Sequence, residues 1–287
     1  MNVPPDITIE LIVVDNASTD DTSQMAASFP MKNMPLRLIQ EPRKGKGHAY
    51  NTGMASARGE IFLFTDDDVR LPPDWLEAIC RPFHSGGTVA VAGTVVLAPH
   101  LERKWMEPVH RYWLAETEPA APGKHYNMVG ANMAFLRSVL ARVPGFDPAL
   151  GAGALGFSED TLFSRQLWAA GLNIVLEESA PVEHHFQPER LMRASLLDAA
   201  RKRGETKAYV VHHWEHRKIL APAARMMQKR LQVALWYRRH PGLAAEPEGL
   251  PTGLMYNLEA YHFYRHYLVE RRKPRSYEKH GLTKKEL

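Results

Sequence analysis

Three consecutive aspartates, Asp66, Asp67 and Asp68, close an apolar run in the stretch LFTDDDVRLPPDWL. Like charges held side by side make one another harder to ionise, and the repulsion is offset either by open water around a surface turn or by a bound cation. A further carboxylate, Asp15, ends the apolar run IELIVVD in the same way. Glu159 and Asp160 form a pair behind Ser158 in GFSEDTLFSRQLWAAG. Lys46 sits in the glycine-punctuated loop EPRKGKG, Gly130 in the turn MVGAN, and His184 behind the strand-like APVE. Taken singly, each has a plain structural reading: a turn aspartate, a solvated lysine, a helix-dipole carboxylate, a core histidine.

The elements that would carry these residues follow from the apolar pattern. Residues 9–15, 36–40, 60–65 and 88–97 read as strands, and SQMAASF, HAYNTGMASA and DWLEAICRPF as helices between them. Strands alternating with helices predict an α/β fold with a mostly parallel sheet covered on both faces. Ligands in such sheets sit beyond the carboxyl ends of strands, the position of both Asp15 and Asp66 to Asp68. NMVGANMAFLRSVLARVPGFD reads as a glycine-bearing turn, a helix and a Pro-Gly stop. In the next helix Ser158 is the N-cap, Leu162, Phe163, Leu167 and Trp168 form the apolar face, and Gly171 closes it. Glu159 and Asp160 then occupy its first turn, where the helix dipole favours a charged carboxylate. Beyond PVEHHFQPERL, long basic helices are expected over residues 188–240 and 252–272, with 240–253 as the linker. His212 and His216 have the i, i+4 spacing of metal ligands but lack a third ligand, and read as helix surface.

The chain of 287 residues has a single cysteine, Cys80, which excludes an internal disulfide framework and fits a reducing, cytoplasmic compartment. No apolar run approaches the ~20 residues that span a bilayer. From residue 201 onward there are 19 Lys+Arg against 8 Asp+Glu, whereas the first 200 residues hold 17 against 24. An acidic body with a basic tail argues against a nucleic-acid-binding domain and leaves contact with an anionic lipid surface, at the inner face of a membrane, open for the tail.

LIVVDNASTDDT, GKGHAYNTGMASARGEIFLFTDDDVRLPPDWL and VGANMAF…PGFD…GFSED, in this order, resemble the GT-A glycosyltransferases of family 2 over roughly residues 7–205. The resemblance implies a GT-A, Rossmann-like sheet flanked by helices, as a domain over 1–215, with a basic helical extension over 216–287. It implies inverting transfer of a sugar from a UDP- or GDP-linked donor to a hydroxyl of a glycan, lipid-linked or other acceptor. Asp66-Asp67-Asp68 matches the D-x-D motif: Asp68 would hold Mg²⁺ or Mn²⁺, Asp66 would face ribose and metal, and Asp67 would help bind the nucleotide sugar. Hard oxygen ligands suit those ions better than zinc. His184 matches the V-x-H position that completes metal coordination, with His185 as second choice. Asp15 would accept a hydrogen bond from the nucleotide base, Lys46 would meet base or phosphate, and Gly130 would line the donor. Asp160, with Glu159 beside it, would be the general base.

Members of the resembled family open with a strand, a loop and a helix about 30 residues ahead of the strand that bears Asp15, and this sequence begins after them. Two readings of that departure stay open, an upstream start and a genuine loss. A catalytically inactive nucleotide-sugar-binding scaffold and a membrane-surface adaptor therefore stand as alternatives to the enzyme.

Overall fold

β-Branched and aliphatic runs build the strands. Strand β1 (Leu11–Asp15) pairs in parallel with β2 (Leu36–Gln40), Leu11 opposite Leu36 and Asp15 opposite Gln40. Helix α1 (Thr22–Ser28) connects them and buries no residue. Helix α2 (Lys46–Ser56) leads to β3 (Ile61–Phe64), β4 (Val69–Arg70), helix α3 (Trp75–His84) and β5 (Ala90–Leu97). After helix α4 (Pro108–Trp113) come β6 (Met133–Leu136), helix α5 (Glu159–Ala169), β7 (Ile174–His184), and helices α6 (Arg193–His213), α7 (Pro222–Arg239) and α8 (Thr252–Glu270). This computed structural model describes residues 2–4, 7–30, 34–84, 86–121, 124–242, 247–278 and 284. Met1 and part of the 240–253 linker lie outside them.

The chain forms two compact units, one of Met1–Val96, Thr117–Ala154 and Ser158–His184, the other of Leu97–Glu116, Leu155–Phe157 and His185–Leu287. This grouping departs from a 1–215/216–287 division because α6 lies along α8 and travels with it.

In the first unit β1 and β2 form a sheet of their own, and the remaining strands form a five-stranded sheet in the order β3-β6-β5-β7-β4. The β3–β6, β5–β6 and β4–β7 ladders are antiparallel. The expected mostly parallel sheet is thus a mixed one within the α/β class. Parallel neighbours need a helical crossover, and α1 supplies one between β1 and β2. Residues 133–136, expected as helix, are strand β6, followed by a 3₁₀ turn at Arg137–Ala141. The short apolar run MAFL is captured between β3 and β5, with Phe135 opposite Phe62. Over four residues such pairing outweighs helix propensity.

The core of this unit joins Trp75, Leu76 and Ile79 on one face of α3 to Val91, Val95, Ala134 and Val182 of the sheet. Asn132, also buried, ties the two together: its Oδ1 accepts from Trp75 Nε1 at 2.9 Å, and its Nδ2 donates to the Thr94 carbonyl at 2.9 Å. Both amide ends are satisfied, so the turn that carries Gly130 is locked to the core.

In the second unit the helix expected over 188–240 is broken. α6 ends at His213, His216 and Ala221 take positive φ, and Pro222 restarts the chain at the first position of α7, where its fixed φ suits a helix start. His212 and His216 are not exposed helix surface. Their Nε2 atoms lie 3.0 and 2.9 Å from the carbonyls of Lys273 and Tyr277 and clasp the segment after α8. Glu270 is buried against His213 (2.8 Å), His266 (3.0 Å) and Lys273 (2.8 Å). Burial pushes its carboxyl up, but these hydrogen bonds more than reverse that and hold it well below the usual range.

α6 and α8 meet at Gly204, where a Cβ would stand 2.4 Å from the Glu259 carbonyl and 2.7 Å from the Phe263 nitrogen. Backbone cannot retreat as a side chain can. Gly204→Ala is therefore expected to lower stability by about 1–3 kcal/mol, read as an earlier thermal transition by circular dichroism. A wild-type melting curve would show that the helices separate at no cost.

Candidate active site

The acidic residues and Lys46 are all carried by the first unit. Lys46 is the first residue of α2, and its loop is tied down on several sides. Asn16 donates to the carbonyls of Glu41 (3.0 Å) and Arg43 (2.6 Å) and accepts from Gly45 N (2.7 Å). Glu41 is buried, takes Arg43 Nε at 2.9 Å and Thr52 Oγ1 at 2.6 Å, and is held far below the carboxylate range by the Arg43 hydrogen bonds. Lys46 N donates to the Ala152 carbonyl at 2.8 Å. At Gly47 a Cβ would stand 2.8 Å from the Asp147 carbonyl, so the helix start fits there only as glycine.

So placed, the Lys46 ammonium lies 2.8 Å from Asp66 Oδ1 and 2.9 Å from Oδ2. It is also 3.9 Å from Glu159 Oε1 and 5.3 Å from the centre of the Tyr50 ring. Burial works against its charge, and Tyr50, Asp66 and Glu159 together more than restore it. Gly130 completes this cluster. A Cβ there would meet the Tyr50 hydroxyl at 2.4 Å, and its N–H donates to Asp160 Oδ2 at 3.1 Å.

Asp160 also accepts from Thr161 N at 2.6 Å, an orphan donor of the α5 N-terminus. The expected Ser158 cap is absent: that residue is left-handed (φ 70°) with no side-chain cap bond, and the Asp160 carboxylate serves the helix end instead. Burial outweighs the helix dipole at this pair. It is the main reason the carboxyl of Asp160 is raised, and with the adjacent Asp160 charge it pushes Glu159 up to about 7 against the pull of Lys46.

Asp68 and His184 form a second pair. The β4–β7 ladder sets Val69 opposite His184, and His184 Nε2 lies 3.2 Å from Asp68 Oδ2. Asp67, between the two groups, is exposed. Asp15 is buried at the end of β1, where its carboxylate accepts from Ser18 N at 3.0 Å and from the Ser23 hydroxyl. Those bonds lower its pKa to about 2. His185 belongs to the other unit and packs beside His100, ring centres 5.4 Å apart.

The structure thus unites Lys46, Asp66, Glu159, Asp160 and Gly130, and pairs Asp68 with His184, without bringing Asp15 or His185 into either group. Among the described residues no three metal-ligating side chains converge. Asp68 and His184 supply one oxygen and one nitrogen at one strand end, a donor pair whose chemistry suits Mn²⁺ or Mg²⁺. Asp66, engaged by Lys46, is not in that set. Tyr50 escaped the sequence reading, although its i+4 spacing from Lys46 puts both on one face of α2.

A mixed α/β unit with carboxylates gathered at strand ends is the architecture of GT-A glycosyltransferases. The mannosyltransferase PcManGT from Pyrobaculum calidifontis, solved with GDP-Man and Mn²⁺, superposes with a TM-score of 0.52 at 20% identity, over 92% of this chain and 77% of that one. Residues 4–143, just under half of the chain, match the family model for glycosyl transferase family 2. Among its relatives, a glucosyl-dolichyl phosphate glucuronosyltransferase of Haloferax volcanii is 25% identical over 50% of this chain and 47% of its own length. The dolichyl-phosphate beta-glucosyltransferase ALG5C of Trichomonas vaginalis is 33% identical over 34% of this chain and 30% of its own length. The chain therefore spans less than half the length of these curated relatives.

The raised carboxyl of Glu159 has a consequence for stability. Between its ordinary value of 4.5 and about 7 the folded chain holds a proton that the unfolded chain has lost. Stability contributed by this group is therefore full below the ordinary value and falls as pH rises through the window. Glu159→Gln should flatten the decline between pH 5 and pH 8 in urea unfolding midpoints. Asp160 contributes with the same sign, so the slope is reduced rather than abolished. An equal decline in wild type and variant would mean that Glu159 is ionised in the folded state throughout.

Proposed function

We propose that the chain transfers a sugar from a nucleotide-diphosphate sugar to an acceptor hydroxyl with inversion at the anomeric carbon. The observation that carries this reading is Asp160. Its carboxylate is aimed by the Gly130 and Thr161 N–H groups, and burial raises its basicity. A general base works best when it is fixed within reach of the proton and its pKa lies nearer the working pH than that of a free carboxylate.

In the proposed reaction Asp160 takes the acceptor hydroxyl proton as that oxygen attacks the anomeric carbon. The bond from that carbon to the diphosphate oxygen breaks on the opposite side. Its electron pair leaves with the nucleoside diphosphate, and the proton stays on Asp160. Lys46, held by Asp66 and Glu159, supplies fixed positive charge beside the base. Asp15 accepts an N–H of the nucleotide base at the end of β1, using lone pairs that Ser18 and Ser23 leave open. Asp68 and His184 would hold a divalent cation of the kind bound with GDP-Man in the Pyrobaculum mannosyltransferase. When bound, such a cation offsets the negative charge developing on the diphosphate. The proposed donors are UDP- or GDP-linked sugars, and the acceptors glycan or lipid-linked hydroxyls.

One observation favours a second reading, nucleotide-sugar binding without turnover: both oxygens of Asp66 are engaged by Lys46.

Calorimetry with UDP and GDP, with and without Mn²⁺, tests the donor site. Asp68→Ala should remove the Mn²⁺-dependent part of nucleotide binding. Asp160→Asn should leave that binding intact and lower the rate of sugar release or transfer by about 10²–10⁴-fold. Equal residual rates in wild type and Asp160→Asn, with donor binding intact, would favour the second reading. Failure to bind either nucleotide would sink both.

A further inference from the structure

Among the described residues, the long helix that buries almost nothing is α7. Val233 and Trp236 pack it against a core cluster of Trp113, Leu196, Leu250, Leu254 and Met255. The opposite side presents Met227, Leu231 and Leu235, spaced i, i+4, i+8 and 53%, 60% and 38% exposed, with Leu220 just ahead of the helix at 76%. At 100° per residue these three span a stripe about 80° wide. The helix carries Arg225, Lys229, Arg230, Arg238 and Arg239 and no acidic residue. Arg230 flanks the stripe on one side, Arg239 on the other, and Arg238 sits at its end; all three are exposed.

We propose that this face of α7 docks on an anionic lipid bilayer, with Met227, Leu231 and Leu235 entering the boundary between headgroups and acyl chains and the arginines meeting lipid phosphates. An exposed apolar stripe on a helix whose charged residues are all basic is the signature of a helix lying in the membrane plane. Other occupants fit less well. A nucleic acid would use the arginines and leave the stripe in water. A second copy, related by a two-fold axis, would bring two wholly basic helices together. None of the helices among the described residues is long and apolar enough to cross a membrane, so the contact is peripheral. The inference stands apart from the transferase reading, since it uses none of the residues assigned to the reaction.

Co-sedimentation of the full chain with vesicles tests it, using phosphatidylcholine alone and an equal mixture with phosphatidylglycerol. Binding to the mixed vesicles should be at least about ten-fold tighter, since each basic residue near an anionic surface contributes roughly five-fold. Raised salt should weaken it. Met227→Glu combined with Leu231→Glu, both on the exposed face, should lower vesicle binding about ten-fold or more with an unchanged circular dichroism spectrum. Arg230→Glu with Arg238→Glu and Arg239→Glu should do the same. The proposal is overturned if the wild-type chain stays in the supernatant with mixed vesicles. It is equally overturned if binding survives the Met227/Leu231 change and falls only with the arginines, which would be general polyanion attraction. A dimer seen by light scattering and dispersed by the Met227/Leu231 change would assign the stripe to a second copy instead.

Discussion

The main carboxylate cluster at the candidate site depends on one partly buried cation. Asp66, Glu159 and Asp160 come from a strand end and a helix start nearly a hundred residues apart, and without a counter-charge their mutual repulsion would oppose folding. The Lys46 ammonium, 2.8 Å from Asp66 and 3.9 Å from Glu159, removes that obstacle. Breaking a partly buried pair by removing one partner costs far more than the pair contributes, because the other charge is left behind. That asymmetry explains why so much of the surrounding structure serves to hold one loop: the Asn16 bonds, the Glu41–Arg43–Thr52 network and the close approach at Gly47 all fix where α2 begins.

Beneath the charges lies a run of aromatic contacts that sets the distance between their supports. Tyr50 on α2 touches Phe64 on β3 and Phe146, ring centres 4.9 and 4.8 Å apart. Phe64 stacks on Phe135 of β6 at 5.3 Å, and Phe135 and Phe146 both meet Phe163 of α5, at 4.8 and 4.4 Å. Each such pair contributes about 0.5–1.5 kcal/mol beyond its area. The larger effect is geometric. Strand β3 brings Asp66, α2 brings Lys46 and α5 brings Glu159 and Asp160, and the same ring cluster packs all three elements.

Parts of this were readable in the sequence and parts were not, for physical reasons. Residues 36–40 and the strand ends at Asp15 and Asp66 declare themselves, because a short apolar run stopped by a polar or charged residue marks where a buried strand meets water. The grouping of Lys46 with Asp66, and of Asp68 with His184, depends on tertiary approach and has no periodic signature. Strand direction was equally silent: β6 could be taken for a helix because four apolar residues carry no period, and its antiparallel partners lie some 40 and 70 residues away. Tyr50 was recoverable from helical spacing alone. The fate of His212 and His216 was not, since their partners are backbone carbonyls of the segment after α8, and no side-chain pattern marks a carbonyl.

The three adjacent aspartates pose a problem of repulsion, and the fold answers it by giving each a different environment. Asp66 is neutralised by Lys46, Asp67 points to solvent, and Asp68 turns to His184 across the β4–β7 ladder. The separation follows from backbone geometry. β3 ends at Phe64, and the turn through Asp67 and Asp68 into β4 carries Asp68 away from Asp66. Three charges that would be costly in one place thus become two side-chain pairs and an exposed residue between them. A cation at Asp68 and His184 would not have to compete with Lys46 for Asp66, so the permanent positive charge and a divalent ion can coexist at one strand end. In the proposed reaction a diphosphate, with more negative charge than either cation alone can balance, would have use for both.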